Sequence, residues 1–276
     1  MGIFAAIQMA SGPQVPANLL TAERLIAEAV RDGAQFIVLP ENFAMMGLDE
    51  ADKLAIRERP GEGPLQEFLA EQARQHGVWI NGGTIPIESD DPERVYAASL
   101  LYNPQGEAVA RYDKMHLFDV ELLDTEERYH ESGTTKSGTR TVVADTPFGK
   151  VGIAVCYDLR FPELFRDLLD LGAEIVVIPA AFTALTGKAH WEVLLRARAI
   201  ENLVYVVAAA QGGYHINGRA TWGHSMIVDP WGNIIAELDS SAPGVVLGEI
   251  KRDYLTSTRQ SFPTIEHRRI SCRVNP

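Results

Sequence analysis

The sequence predicts an α/β protein in which two related sheets share one domain, helices outside and apolar sheet faces together. Three observations carry this. Strand-like apolar runs alternate with stretches of helical periodicity along the chain. DGAQFIVLPENFA (32–44) and LGAEIVVIPAAFT (171–183) share one plan: helix end, Gly-Ala, apolar strand, Pro, two residues, Phe. LLYNPQGEAVA (100–110) likewise resembles MIVDPWGNIIA (226–236), and IFAAIQM near the N-terminus sits where VGIAVCY sits in the second half. The chain therefore reads as two copies of strand–helix–strand–helix–strand–hairpin. No Pro/Gly/Ser-rich linker follows either copy, so residues 1–276 are expected to form a single domain.

The elements follow in order. Residues 3–10 are an apolar strand. Residues 18–31 place Leu19, Leu20, Ala22, Leu25, Ile26, Ala29 and Val30 at helical spacing, and Gly33 ends that helix. Residues 36–39 are a short all-apolar strand, the pattern of a strand buried on both faces. Residues 64–76 form a second amphipathic helix that Gly77 stops. Residues 79–87 read as one strand, and residues 97–112 as a hairpin turning at Asn103-Pro104-Gln105-Gly106. In the second half, GKVGIAVCYDLRFPELFRDLL (149–169) is a strand, a polar turn and a helix. WEVLLRARAIE reads as a helix with the stripe Val193, Leu194, Ala197 and Ile200, and His190 is a hydrogen-bonding residue at its start. His224 opens the strand SMIVDPWG.

Composition excludes several functions. The 276 residues are 46% apolar, enough for a sizeable core. A formal net charge of −12 argues against a general nucleic-acid binder, and the largest basic run is His267-Arg268-Arg269. Two distant cysteines make neither a disulfide framework nor a CxxC site and fit a reducing compartment. The N-terminus reads as a strand rather than a signal peptide. No apolar run approaches the roughly 20 residues of a membrane span. A cytoplasmic protein without membrane association is expected. There is no HExxH, zinc motif, P-loop or GxGxxG, so neither metal nor cofactor is expected. Cys272, near the C-terminus, is expected to be incidental.

Polar residues at the C-terminal ends of strands tend to line the site in open α/β folds. Glu41, Lys114 and Cys156 occupy three such ends. The two copies have diverged there: Ala180 stands opposite Glu41, and Gln8 opposite Cys156. Cys156 is either a small buried hydrophobe or a nucleophile at a strand-to-helix turn, where the helix terminus and the Tyr157 amide favour negative charge. Glu41 abuts an apolar strand, which suits it to proton transfer, although an exposed loop acid fits as well. Lys114 is either solvated or held beside a carboxylate, where it would stabilise an oxyanion. His116, His190 and His224 are candidate partners for the thiol, and no His pair has metal-ligand spacing.

Three motifs decide among these readings. LPENF around Glu41, RYDKMHLFD around Lys114 and GIAVCYDLRFPE around Cys156 together resemble the nitrilase superfamily of carbon–nitrogen hydrolases, over nearly the whole chain. The resemblance implies a four-layer αββα sandwich, a Glu41–Lys114–Cys156 triad, no cofactor, and a homodimer or larger oligomer. Tyr157-Asp158 after the cysteine looks like the amidase branches and departs from the Trp-Glu of true nitrilases. TGKAHWEVLLRARAIENLVYVVAAAQ with GHSMIVDPWG is similar to the deaminated glutathione amidases; the omega-amidases match less closely over residues 186–191.

The implied reaction is hydrolysis of a primary amide in a small carboxylate-bearing substrate. Glu41 takes the thiol proton, Cys156 forms a thioester, ammonia leaves, and water releases the acid. Lys114 and the Tyr157 backbone amide hold the oxyanion. Of two candidates for an assisting carboxylate, Glu131 matches the family pattern better than Glu121. Arg160 either pairs with a substrate carboxylate or makes an ion pair with Glu163 or Asp158. Phe182 and Thr183 are expected to line the pocket. Three alternatives stand beside this reading. One is an omega-amidase acting on 2-oxoglutaramate, separated by substrate length. Another is a non-catalytic binding member, against which the three triad positions are intact. The last is an acyltransferase, which would need water excluded and an amine pocket.

Overall fold

The computed structural model describes residues 1–122 and 128–271, so Cys272 lies outside the described residues. The first half runs β1 (Gly2–Gln8), α1 (Val15–Arg31), β2 (Phe36–Val38), α2 (Pro64–His76), β3 (Trp79–Asn81), β4 (Ile85–Glu88), β5 (Val95–Tyr102) and β6 (Ala108–Asp113). A short hairpin, β7 (Asp119–Glu121) and β8 (Arg128–His130), leads to β9 (Val142–Thr146). The second half runs β10 (Gly149–Ile153), α3 (Pro162–Asp170), β11 (Ile175–Ala180), α4 (Ala184–Asn202) and β12 (Tyr205–Ala210). It continues through the hairpin β13 (Gly212–Tyr214) and β14 (Ala220–Trp222) to β15 (Met226–Val228) and β16 (Ile234–Glu237). β17 (Gly244–Ile250) returns to the first sheet, and α5 (Arg252–Ser261) follows.

The two halves share their connectivity. β1, β2 and β3 pair in parallel, and the antiparallel hairpin β5–β6 extends them. β10, β11 and β12 pair in parallel, and the antiparallel hairpin β15–β16 extends those. Each hairpin even carries a register shift, at Leu101/Tyr102 and at Ile227/Val228.

The layers follow from burial. Leu25, Ile26 and Ala29 of α1 and Leu69 and Ala73 of α2 pack on Ile7, Ile37 and Ile80 of the first sheet. The other face of that sheet, with Phe4, Phe36 and Val38, meets Val151, Val177 and Val207 of the second sheet. Leu164, Phe165 and Leu168 of α3 and Trp191 and Leu195 of α4 belong to this second cluster and cover the far face of the second sheet. The result is the four-layer αββα sandwich.

Four local expectations change. The first helix starts at Val15, because Pro16 is favoured in a first helical turn; its Leu20 is exposed. The strand expected over residues 79–87 is broken into β3 and β4. Gly83 has φ 58°, and a Cβ there would lie 2.1 Å from the Pro40 carbonyl oxygen. The close approach needs glycine, and it lays this break against the loop that carries Glu41. The last helix of the second half begins at Ala184, with the Thr183 side chain accepting from the Thr186 N–H, so His190 lies inside it rather than at its start. Only part of its expected stripe faces inward: Leu194 packs on the core and Ala197 is half-buried, but Val193 is 66% and Ile200 45% exposed. The buried face is Trp191, Leu195, Arg198, Ala199 and Asn202.

Candidate active site

Each reacting side chain leaves the end of a strand. Glu41 follows β2 by three residues, Lys114 directly follows β6, and Cys156 opens a short 3-10 turn after β10. The first two hang from the first sheet and the third from the second. Together they form the floor of a cavity lined also by Glu131, Tyr157, Phe182 and Thr183.

Lys114 is 2% exposed, and its ammonium donates to Glu41 Oε1 at 2.8 Å and to both Glu131 oxygens at 3.0 and 2.8 Å. Burial alone would push this lysine down. Glu131, then Glu41, overcome that and hold it well above the usual range, so it stays a cation. Glu131 also accepts from the Phe118 N–H at 2.7 Å, which fixes its carboxylate. Glu121 lies elsewhere, paired with Arg128 at 2.8 Å on an exposed hairpin.

Cys156 is 7% exposed and adopts φ 45°, the left-handed region that a non-glycine residue enters only under constraint. The turn is sharp, like a nucleophile elbow, and presents the side chain at the sheet end. Its sulfur accepts from the Ala181 N–H at 3.5 Å, and Glu41 lines the same cavity. Burial, then the Glu41 charge, push the thiol well above its ordinary range. At rest the site therefore holds a neutral thiol beside a lysine cation. Glu41, the candidate proton acceptor, stands in the same cavity as the group that must lose its proton.

Asp158 holds the elbow. It is fully buried and accepts from the Val155 N–H at 2.8 Å, the Tyr112 hydroxyl at 2.7 Å and the His116 N–H at 3.1 Å; His116 Nδ1 lies 2.7 Å away. Tyr112 and His116 flank Lys114, so one carboxylate ties the cysteine turn to the lysine segment. Gln211 does the same for Glu41: its amide donates to the Glu41 carbonyl at 3.0 Å and to Ser11 Oγ at 2.8 Å. Arg198 secures the turn from behind, donating to the Leu159 carbonyl at 3.0 and 2.8 Å. Sequence alone does not single out these supports, because most of their partners are 39 to 200 residues away. A charged side chain at a buried helical position, such as Arg198, was the one available signal.

Arg160 lines the cavity and bonds to His190 Nδ1 at 3.1 Å, its guanidinium 5.1 Å from the centre of the Phe182 ring. The alternative partners Asp158 and Glu163 make no ion pair with it among the described residues. His116 bonds to Asp158, His190 to Arg160 and His224 to Glu237. The copy counterpart of Cys156, Gln8, is consumed in structure: its amide donates to the Ser240 and Ala242 carbonyls and accepts from the Ser225 N–H.

The carbon–nitrogen hydrolase family profile matches residues 4–260, nearly the whole sandwich. The chain belongs to the carbon–nitrogen hydrolase family. It is a hydrolase acting on carbon–nitrogen bonds other than peptide bonds, and an amidase. A deaminated glutathione amidase from Yersinia enterocolitica is 44% identical over 273 residues, covering 99% of this chain and 94% of that one. The crystal structure of the C. elegans NitFhit protein superposes with a TM-score of 0.90 at 37% identity, covering 99% of this chain and 67% of that one. A glutamate-to-glutamine mutant of the amidase from Nesterenkonia sp. AN1, with a TM-score of 0.76 and 25% identity, covers 96% of this chain and all of that one; acrylamide has added to its active-site cysteine. No helix among the described residues is long and apolar enough to cross a membrane.

Proposed function

We propose that this hydrolase cleaves the amide of deaminated glutathione, with Cys156 as nucleophile, Glu41 as general acid and base, and Lys114 as oxyanion stabiliser. The buried Lys114 ammonium, shared by Glu41 and Glu131 beside the thiol, carries the mechanistic reading. The Yersinia relative supports the substrate.

Cys156 Sγ attacks the amide carbon as Glu41 accepts its proton. The oxyanion is stabilised by Lys114 and the Tyr157 backbone amide. Glu41 returns the proton to the departing nitrogen, leaving a thioester on Cys156. Water then gives a proton to Glu41 and its hydroxyl to the acyl carbon; collapse releases the acid, and the thiolate recovers the proton. Glu131 keeps Lys114 charged and aimed.

The substrate's constitution alters one expectation. Deaminated glutathione is the tripeptide with its free amino group replaced by a keto oxygen. Its non-peptide amide joins the five-carbon acid to cysteine. The leaving group is therefore the amine of cysteinylglycine, and ammonia leaves only from an omega-amide such as 2-oxoglutaramate. Arg160 binds the acid end, with Phe182 and Thr183 beside it. The outward stripe of α4, with Leu185, Val193 and Ile200 exposed, fits a homodimer contact. Its distribution of cysteines fits a reducing, cytoplasmic setting.

The test is incubation with deaminated glutathione and, separately, 2-oxoglutaramate, following dipeptide and ammonia release, with Cys156→Ala alongside. Faster turnover of the tripeptide analogue, absent in the variant, supports the reading. Preference for 2-oxoglutaramate moves the enzyme to omega-amidase chemistry. Turnover surviving in Cys156→Ala overturns the mechanism.

A further inference from the structure

The cavity at the thiol is only the inner part of a larger space. It measures about 40 Å³, room for about three waters or one amide group. A groove of about 740 Å³ adjoins it, and the two share Asn42, Glu50, Lys53, Tyr129 and Arg219. The chamber that holds the reacting amide is thus too small for a tripeptide analogue. What extends beyond the scissile bond must lie in the groove.

The junction carries an excess of positive charge. Lys53 pairs with Glu50 at 2.8 Å and donates to Thr135 Oγ1 at 3.2 Å. Partial burial pushes the Glu50 carboxyl up, but Lys53, then Arg219, hold it below the usual range, so it is ionised. Arg219 has no carboxylate in salt-bridge range among the described residues. One Nη donates to the Ala181 carbonyl at 3.3 Å, the guanidinium lies 4.8 Å from the centre of the Tyr129 ring, and the buried Nε–H has no acceptor among the described residues. A buried guanidinium donor without an acceptor is costly unless something arrives to take it. Among the described residues, two cations against one carboxylate leave one positive charge at the mouth. Farther out, Arg128 and Asp49 are opposite in sign and both line the groove.

The position of Arg219 matters as much as its charge. Its guanidinium bonds to the carbonyl of Ala181, the residue whose N–H touches the Cys156 sulfur. The arginine therefore sits one residue's length from the nucleophile, on the side of the cavity that opens to the groove. On the reacting floor, by contrast, the Lys114 ammonium is already engaged by Glu41 and Glu131.

We propose that Arg219, with Lys53 behind it, is the subsite for a carboxylate carried by the leaving amine, and that the adjoining groove binds that amine as a short peptide-like acid. The proposal rests on the amidase reading above, with an amine rather than ammonia as leaving group. Arg219 is then a specificity-determining residue: the outer nitrogens of its planar fork donate to the carboxylate. It selects for extended substrates, whereas Arg160 sees only the acyl portion.

The experiment compares two substrates, a 2-oxo-acid amide of a dipeptide with a free terminal carboxylate and the same compound ending in a carboxamide. Wild type is expected to prefer the carboxylate by about tenfold or more in kcat/KM, the worth of a charge-assisted bond. Arg219→Gln should bring that ratio close to one. Equal turnover of the two compounds by wild type overturns the subsite, as does a ratio that survives in Arg219→Gln. Cleavage of neither compound overturns the extended-substrate reading as well, which separates the two failures. A second measurement needs no variant: the dipeptide amine, as carboxylate and as carboxamide, is tested as an inhibitor of primary-amide hydrolysis. The carboxylate should inhibit about tenfold more tightly. Equal inhibition counts against the subsite.

Discussion

Lys114 is the residue on which the site's electrostatics turn. Removing it leaves Glu41 and Glu131 facing each other in a buried chamber, so Lys114→Met should cost about 3–5 kcal/mol of stability and about 10²–10³-fold or more in kcat. Chemical denaturation and initial rates check both; full activity in this variant would remove lysine from the mechanism. Cys156→Ala should lose about 10⁴-fold or more in turnover while folding normally, seen by mass spectrometry as loss of a trapped acyl adduct. Arg160→Lys keeps the charge but loses the fork, so KM should rise more for acidic substrates than for a neutral amide. Equal losses on both would point to a structural role through His190.

At the scale of elements, positioning is done by turns rather than by regular structure. Gly83→Ala puts a Cβ against the Pro40 carbonyl in a left-handed backbone. The Glu41 loop must yield, so kcat should fall together with stability, by several kcal/mol on thermal or denaturant unfolding. Unchanged values would show that the loop accommodates the methyl freely. Much of this level was legible in sequence. Gly77, at φ 65°, ends α2 where periodicity stops, and the 32–44 and 171–183 repeats mark β2 and β11. What could not be read there was which face of a helix is inside. On α4 the apolar stripe of Val193 and Ile200 is outside, while Arg198 and Asn202 are buried because they bond to Leu159, Glu201 and the Arg198 carbonyl. Hydropathy ranks such residues the wrong way round. Strand ends brought Glu41, Lys114 and Cys156 into view, but the Asp158 tether and the Arg219 subsite exist only after distant segments meet.

At the scale of the whole molecule, the buried groups set an alkaline limit. Cys156, Tyr112 and Lys114 all hold their protons more tightly folded than unfolded, chiefly by burial for the first two and by the surrounding carboxylates for the lysine. Above the ordinary thiol value of 9.0 the unfolded chain gives up protons that the native state keeps. Stability is then full below that pH and falls as pH rises, since the native state binds more protons. Melting temperatures at successive pH values should drop from about pH 9 upward, and Cys156→Ser should remove the earliest part of the drop. A flat profile to pH 11 would contradict it. Val193→Glu, on the exposed face of α4, should shift sedimentation toward monomer with the fold intact. An unchanged sedimentation coefficient would place the oligomer contact elsewhere.

The acid and the lysine hang from one sheet and the thiol from the other, with the hydrocarbon of Phe36, Val38, Val151 and Val177 between the sheets. Face-to-face sheets lie about 10 Å apart, set by the side chains that fill the gap. The core is thus a gauge block, and its thickness is the tolerance to which proton acceptor and sulfur are aligned. Shaving a methyl from that layer alters the reaction geometry without touching a reacting group. Hydrophobic positions that look interchangeable by size class are, in this architecture, dimensioned parts of the catalyst.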